Sequence, residues 1–109
     1  MRAAVTTTTQ MMSAQALEQR AAQAASLLKA MSNPHRLLIL CMLVDAPGTG
    51  AGDLAVATGL SPSATSQHLA RMREEGLIDN VRQAQRVLYS IKDDAVKQII
   101  GTLKGIFCP

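Results

Sequence analysis

The stretch LSPSATSQHLARMREEGLI, residues 60–78, carries the signals of a helix at both of its ends. Ser61 is a preferred N-cap residue, Pro62 suits the first helical position, and Gly76 suits the residue that stops a helix. The first half of this helix offers short hydrogen-bonding side chains where most globular helices offer Leu, Glu and Lys: Ser63, Thr65, Ser66, Gln67 and His68. Small polar side chains allow close approach to a surface, and the major groove of DNA accepts a helix of this kind.

The residues before this helix complete a helix-turn-helix pattern. A short helix is predicted over about residues 52–58, and Thr58-Gly59-Leu60-Ser61 then forms a tight turn. Two helices joined by a turn of three or four residues that contains Gly are typical of DNA-binding units. The pattern favours DNA recognition by the helix 61–75 over an ordinary solvated helix.

Two more predicted helices precede this unit. Apolar residues recur at helical spacing over Ala14–Met31. Asn33 and Pro34 are a cap and a first residue for a second helix that runs to about Asp45. That second helix is apolar on every side, which is typical of a helix at the centre of a domain. Residues 46–50 are rich in Pro and Gly and predict a loop.

The sequence after Gly76 changes from a helical pattern to a strand pattern. Residues 77–81 and 87–91 are rich in β-branched and apolar side chains, and they flank a polar run, residues 82–86, with two Arg. This pattern predicts a β-hairpin with a basic tip. A last helix follows, with one apolar stripe made of Val96, Ile99, Ile100, Leu103, Ile106 and Phe107. The predicted fold is mainly α with a small β-hairpin, a winged helix-turn-helix in the order ααααββα.

Length and composition predict one compact domain. The 109 residues are 48% hydrophobic but include one Tyr, one Phe and no Trp, so we expect an aliphatic core. Residues 1–13 predict a disordered arm, and residues 14–109 the winged helix-turn-helix domain. The net charge of +3 favours an anionic partner. Because neither a signal peptide nor a membrane-spanning run is evident, we predict a soluble cytoplasmic protein, without a membrane partner, whose two Cys are thiols.

One stripe of the helix 61–75 is predicted to read DNA. Ser63, Ser66 and Gln67 share the side that faces away from the expected core, and Arg71 lies at its edge. Taken alone, this stripe also fits a solvated polar face. The helix-turn-helix spacing and the nearby cationic hairpin favour DNA.

The tip of the hairpin is predicted to add further contacts. Arg82 and Arg86 carry the charge that suits phosphates or the minor groove. The full predicted DNA-binding set is Ser61, Ser63, Thr65, Ser66, Gln67, His68, Arg71, Arg82, Gln85 and Arg86. Within this set, Thr65 and His68 also lie on or beside the face that is expected to pack on the second and third helices.

Several short motifs resemble the arsenical-resistance (ArsR-type) family of winged-helix repressors. They are Asn33-Pro34-His35-Arg36-Leu37, Asp53-Leu54-Ala55, Gly59-Leu60-Ser61, Ser66-Gln67-His68-Leu69, Arg73-Glu74-Glu75-Gly76-Leu77 and Tyr89-Ser90-Ile91. The resemblance covers about residues 27–91. It implies a homodimer, formed through the first and last helices, that binds a palindromic operator in double-stranded DNA and leaves it when an inducer binds.

The same resemblance bears on the inducer. Many metal-sensing relatives place a Cys-x-Cys pair where this chain has Gly50 and Gly52, and others use acidic residues and His along the last helix, where this chain has no His. We therefore predict no metal site and no cofactor. A zinc site assembled from His35, His68 and the two Cys has no support from their spacing.

One Cys in the second helix and one near the C-terminus resemble the persulfide-sensing branch of the family, the sulfide-responsive and biofilm-growth-associated repressors. The polar run that begins at Arg82 is similar to that branch as well. The resemblance implies that reactive sulfur species link Cys41 and Cys108 and so relieve repression. Whether that link lies within one subunit or between two stays open.

The local sequence singles out neither thiol as activated. A thiolate is the reactive form of Cys, yet Cys41 lies on an apolar stripe, where burial raises its pKa, and Asp45 follows one turn later. Cys108 lies at a helix end, with Lys104 one turn before it. An enzyme is not predicted, because the chain lacks Cys-x-x-Cys and a phosphate-binding Gly loop. The alternatives are a metal- or peroxide-responsive repressor, a thiol-dependent sulfur carrier, and a winged helix that binds only proteins.

Overall fold

The computed structural model describes residues 12–108 and contains five helices and three strands in that part of the chain. In chain order they are α1 (Ala14–Met31), α2 (Pro34–Asp45), β1 (Thr49–Gly50), α3 (Ala51–Thr58), α4 (Pro62–Glu74), β2 (Ile78–Gln83), β3 (Arg86–Ile91) and α5 (Asp94–Phe107). This confirms the predicted fold class, with one strand added. Of the predicted arm, residues 1–11 lie outside the described residues.

Side-chain caps set the starts of the helices. The Ser13 hydroxyl accepts a hydrogen bond from the backbone N–H of Ala16 at 3.0 Å, in front of α1. The Asn33 side chain accepts from the N–H groups of His35 and Arg36 at 2.9 and 3.1 Å. These bonds satisfy donors that have no partner within their own helix. As a result, α1 begins directly after Ser13, and α2 begins at the residue that Asn33 and Pro34 predict.

The chain divides into two compact units. The first ends at Met31 and contains α1, and the second begins at Ser32 and contains all the other elements. The prediction of one domain over residues 14–109 stays a prediction.

The prediction of a loop over residues 46–50 is wrong at its end, because Thr49 and Gly50 form β1. This strand pairs antiparallel with β3, with Thr49 opposite Tyr89 and Gly50 opposite Leu88, so the sheet has the order β1-β3-β2. A two-residue strand is too short to show an alternating pattern, and Gly is depleted in strands. The hairpin is therefore part of a three-stranded sheet, which fixes it against the start of α3.

The core of the second unit is aliphatic, as the composition predicts. Its most deeply buried apolar side chains come from every helix of the unit and from the sheet: Ile39, Leu40, Leu43, Leu54, Leu69, Met72, Leu77, Ile78, Val96 and Ile100. Burial of each such side chain contributes about 1.5–3 kcal/mol. The α2 helix is less enclosed than its composition predicts, because Leu38 is 41% exposed.

Within residues 12–108, no single helix is long and apolar enough to cross a membrane. The bent pair of α1 and α2 would together be long and apolar enough, judged by length and composition alone.

Candidate nucleic-acid interface and thiol pair

A three-residue turn, residues 59–61, positions α4 after α3. Gly59 adopts a φ of 72°, a left-handed conformation that favours glycine, and its N–H donates to the carbonyl of Ala55 at 3.0 Å. The Ser61 hydroxyl then accepts from the N–H of Ala64 at 3.1 Å, and Pro62 is the first residue of α4. The turn has the length and the Gly that a helix-turn-helix unit requires.

The prediction that Thr65 contacts DNA is wrong for this chain. Its side chain is 1% exposed, and its hydroxyl donates to the carbonyl of Ser61 at 3.0 Å. Thr65 shares the i, i+4, i+7 face of α4 with Leu69 and Met72, both of which are buried. Packing of this face against the core places the threonine away from any ligand.

The opposite side of α4 is exposed. Among its exposed residues are Ser63, Ser66, Gln67, Ala70, Arg71 and, in the last turn, Glu74, and the cap residue Ser61 is exposed beside them. We call Ser63, Ser66, Gln67 and Ala70 the reading stripe. Three of its four side chains are short, so they leave the backbone open to a groove while the longer Gln67 extends beyond them.

His68 lies at the border between the core and the reading stripe and is half-buried. Its Nδ1 accepts a hydrogen bond from Nε of Arg36 at 3.3 Å, and its ring centroid lies 6.0 Å from that of His35. Burial, then the positive charge of Arg36, and then His35 lower the pKa of His68. These effects favour the neutral imidazole, and the hydrogen bond from Arg36 holds the ring against α2. Its place in the DNA-binding set stays a prediction.

Arg71 is paired in the absence of DNA. Its Nε lies 3.2 Å from Oε1 of Glu75, one turn later, and the same oxygen lies 3.9 Å from Nη1 of Arg36. Exposed pairs of this kind contribute little stability, about 0–1 kcal/mol, so a phosphate can replace the Glu75 carboxylate at low cost. A cleft of about 450 Å³ runs beside Arg71 and Gln67.

The hairpin formed by β2 and β3, which we call the wing, differs from its prediction in the position of its turn. The pairing of β2 with β3 extends to Gln83 opposite Arg86, so Ala84 and Gln85 alone form the turn. Arg82 lies in β2 opposite Val87, and Arg86 lies in β3. Both arginines are exposed, and the strands, not a loop, fix their backbone positions.

Arg86 joins the wing to α3. Its Nη2 lies 3.3 Å from Oδ2 of Asp53 in the first turn of α3. A Cβ atom at Gly50 would lie 3.0 Å from the same nitrogen, so the absence of a side chain at Gly50 makes room for the guanidinium. The positions that carry Cys in the metal-sensing relatives, Gly50 and Gly52, therefore lie beside an arginine, in a cleft of about 540 Å³.

The two thiols belong to two helices that pack against each other, α2 and α5. Cys41 is half-buried in α2, Cys108 is exposed directly after α5, and neither is in a disulfide. The N–H of Cys108 donates to the carbonyl of Lys104 at 2.7 Å, and the Lys104 ammonium forms an ion pair with the Asp45 carboxylate. Each Cys is thus four residues from one member of an ion pair that connects the two helices.

Charges of these same groups act on Cys41. Burial raises the pKa of the Cys41 thiol, Lys104 lowers it, and Cys108 and then Asp45 raise it. The hydrogen bond to Asp45 raises the pKa of Lys104. In the described residues, no group of three His, Cys, Asp or Glu side chains is placed to hold a metal ion. The predicted lack of a metal site stays a prediction.

Comparison with known proteins identifies the family. The family model described as "Bacterial regulatory protein, arsR family" matches residues 33–80. The HTH-type transcriptional regulator YgaV of Escherichia coli (strain K12) is 69% identical over 93 residues, which are 85% of this chain and 94% of that protein. This chain belongs to the arsR family.

Solved structures of relatives share the fold of this arsR-family protein. Reduced HlyU from Vibrio cholerae N16961 has a TM-score of 0.83 at 43% identity, over 87% of this chain and 99% of that chain. The transcriptional repressor BigR from Xylella fastidiosa has a TM-score of 0.78 at 32% identity, over 90% of this chain and 99% of that chain. The winged helix-turn-helix prediction is confirmed, and the chain is a member of a family of DNA-binding transcriptional regulators.

Three residues of this arsR-family protein were missed in the sequence prediction of its sites. Asp53 appeared there only as part of a family motif, although it pairs with Arg86, 33 residues later. Lys104 and Asp45 were each considered beside their nearest Cys, but their pairing across 59 residues was not predicted. Local spacing carries no signal for contacts between distant elements.

Proposed function

We propose that this protein is a dithiol redox-responsive transcriptional repressor that leaves a palindromic operator when reactive sulfur species link Cys41 and Cys108. The observation that carries the proposal is the position of both thiols beside the single Lys104–Asp45 ion pair. The charge of Cys108 raises the pKa of Cys41, and this interaction between the two thiols supports a reaction that involves both. The likeness to the repressor BigR supports the repressor role.

DNA contact in this proposal comes from the reading stripe and the wing. The exposed Gln67 supplies an amide that can donate and accept at a base edge, while Arg71, Arg82 and Arg86 supply charge for phosphates. Gln85, in the turn of the wing, joins these contacts. With this arrangement, the arginines make the affinity for DNA depend on salt concentration, and the reading stripe makes it depend on the base sequence.

A homodimer completes the proposed DNA-binding unit. On α5, Ile106 and Phe107 are 62% and 75% exposed, and on α1, Leu17 and Leu28 are 43% and 52% exposed. A second copy of the chain is the partner that we propose to cover these side chains, by way of α1 and α5. Two copies of α4 then lie about 34 Å apart, the distance between successive major grooves on one side of the duplex.

The proposed sulfur chemistry takes two electrons from the two thiols. One Cys thiolate attacks a terminal sulfur of a polysulfide, its S–S bond breaks, and the shortened polysulfide leaves with the electron pair. The other thiolate then attacks the inner sulfur of the resulting Cys persulfide, and hydrosulfide leaves as the disulfide forms. If the first thiolate instead attacks the sulfur next to the terminal one, that Cys carries two added sulfur atoms; attack of the other thiolate on the first of these breaks the bond to the second, hydrosulfide leaves, and a trisulfide bridge forms.

A link between Cys41 and Cys108 closes a loop of 67 residues, a restraint of about 4 kcal/mol in the chain-entropy model. Regulation needs only the part of this energy that differs between DNA-competent and incompetent dimers. A coupling of about 1–3 kcal/mol weakens operator binding about 5- to 150-fold. Movement of α5 relative to α2 would change the separation of the two α4 helices.

Operator binding before and after polysulfide treatment tests the proposal. We expect the treated protein to bind about 5- to 150-fold more weakly, while Cys41→Ser and Cys108→Ser keep the affinity of the reduced protein. Intact mass should show the loss of two hydrogens, with or without added sulfur, in the wild type alone, whereas a variant with one Cys can only gain sulfur atoms. If polysulfide released both variants from the operator as it releases the wild type, the proposal would be contradicted. If a metal ion retained by the protein caused release, metal sensing would replace the proposed sulfur sensing.

A further inference from the structure

The Lys104–Asp45 ion pair connects the two helices, α5 and α2, on which or directly after which the two thiols lie. Asp45 lies one turn after Cys41 on α2, and Lys104 lies one turn before Cys108 on α5. The side chain of Lys104 is 26% exposed and that of Asp45 is 67% exposed, so Lys104 is the more enclosed side chain of the pair. Lys104 thus lies one turn from Cys108 on α5 and pairs with the carboxylate that lies one turn from Cys41 on α2.

We propose that Lys104 is the residue that stabilises the anionic sulfur of the thiol pair, and that Asp45 opposes it by competing for the same ammonium. This inference rests on the proposed function, because it assigns control of the reactivity of the Cys41–Cys108 pair. The ammonium favours the thiolate that attacks the polysulfide and the persulfide anion that follows. The Asp45 carboxylate limits that effect because it competes for the same ammonium. The reduced thiols are therefore kept from reacting indiscriminately.

The electrostatics of the described groups agree in sign with this assignment. Among the charges that act on Cys41, Lys104 is the one that lowers its pKa, against burial, Cys108 and Asp45, which raise it. Lys104 itself stays a cation over the whole range in which thiols titrate, because the hydrogen bond to Asp45 and the negative charges of both sulfurs raise its pKa. Loss of either member of the ion pair therefore changes the thiol in a predictable direction.

The two directions are opposite, and this makes the test decisive. In protein with one remaining thiol, made by Cys108→Ser, the rate of alkylation of Cys41 by iodoacetamide is measured from pH 6 to pH 10. We expect Lys104→Gln to raise the apparent pKa by about half a pH unit or more and Asp45→Asn to lower it, which changes the thiolate fraction about threefold below the pKa. Lys104→Arg should keep the wild-type profile.

A purely structural role for the ion pair predicts another result. Removal of either partner would then loosen the contact of α2 with α5, and both variants would shift the profile in the same direction. Such a common shift, or no shift in either variant, would overturn the inference. Lys97→Gln is the matched control, because Lys97 pairs with Asp94 at 3.8 Å on the same helix, and it should leave the profile of Cys41 unchanged.

The alkylation experiment needs neither DNA nor a sulfur donor, so its outcome is separate from that of the proposed function. Opposite shifts without release of DNA by polysulfide would keep the role of Lys104 and remove the sulfur-responsive repressor. Release by polysulfide with superimposable profiles for the Lys104 and Asp45 variants would keep the repressor and remove the role of Lys104. Circular dichroism and thermal unfolding of every variant exclude loss of the fold as the cause of a changed rate.

Discussion

Replacing Gln67 with alanine weakens operator binding about 5- to 150-fold, the loss of about 1–3 kcal/mol that removal of a base contact causes. Gln67 is the long side chain of an exposed stripe whose other members are Ser63, Ser66 and Ala70. Its amide is neutral and presents a donor and an acceptor together, the combination that binds adenine in the major groove. Fluorescence anisotropy with a labelled operator measures the effect, and the slope of affinity against salt should not change, because no phosphate contact is lost.

Gln98→Ala is the matched control for this variant. Gln98 is also exposed on a helix, but it lies on α5, on the side away from the buried Val96 and Ile100. We expect its operator affinity to equal that of the wild type. Equal affinities for Gln67→Ala and Gln98→Ala would show that the reading stripe does not contact bases.

The second large effect concerns the packed face of the same helix. Leu69→Ala lowers the free energy of unfolding by about 2–5 kcal/mol, because the Leu69 side chain is fully buried and its removal leaves a cavity. Loss of this packing also loosens the buried face of α4, which includes Thr65. The helix that is proposed to read DNA is therefore the element most directly affected. Urea unfolding at one fixed protein concentration measures the change, since dimerisation makes stability depend on concentration.

Val56→Ala provides the comparison for the stability measurement. Val56 is an aliphatic residue in the neighbouring helix α3, but it is 84% exposed. A change within about 0.5 kcal/mol is expected for such a surface site. A cost for Leu69→Ala below about 1 kcal/mol, similar to that of Val56→Ala, would mean that α4 is not fixed by its packing on the core.

The sequence predicted those parts of the fold that depend on neighbouring residues. Asn33 with Pro34 and Ser61 with Pro62 are caps whose hydrogen bonds lie within three residues, and the helices begin where these residues predict. The hairpin was predicted from two segments rich in β-branched and apolar residues, although its turn is shorter than expected. Strand β1 was missed because two residues show no period and because its partner, β3, lies about 40 residues later.

The candidate sites were less predictable because they depend on contacts between elements. Thr65 was included with the DNA-binding residues by residue type, whereas the face it shares with Leu69 buries it. The pairing of Asp53 with Arg86 and of Lys104 with Asp45 follows from the packing of α3 against the wing and of α2 against α5. The resemblance to the persulfide-sensing branch identified Cys41 and Cys108, but not the ion pair that joins their helices.

Selection of bound sequences from a random duplex library by the reduced protein tests the central claim most directly. The account predicts enrichment of a palindrome with half-sites about 10 base pairs apart, centre to centre, and loss of that enrichment when Gln67→Ala replaces the wild type. Binding without any enriched sequence, or enrichment of a single half-site by a monomer, would contradict the claim that two paired α4 helices read the operator.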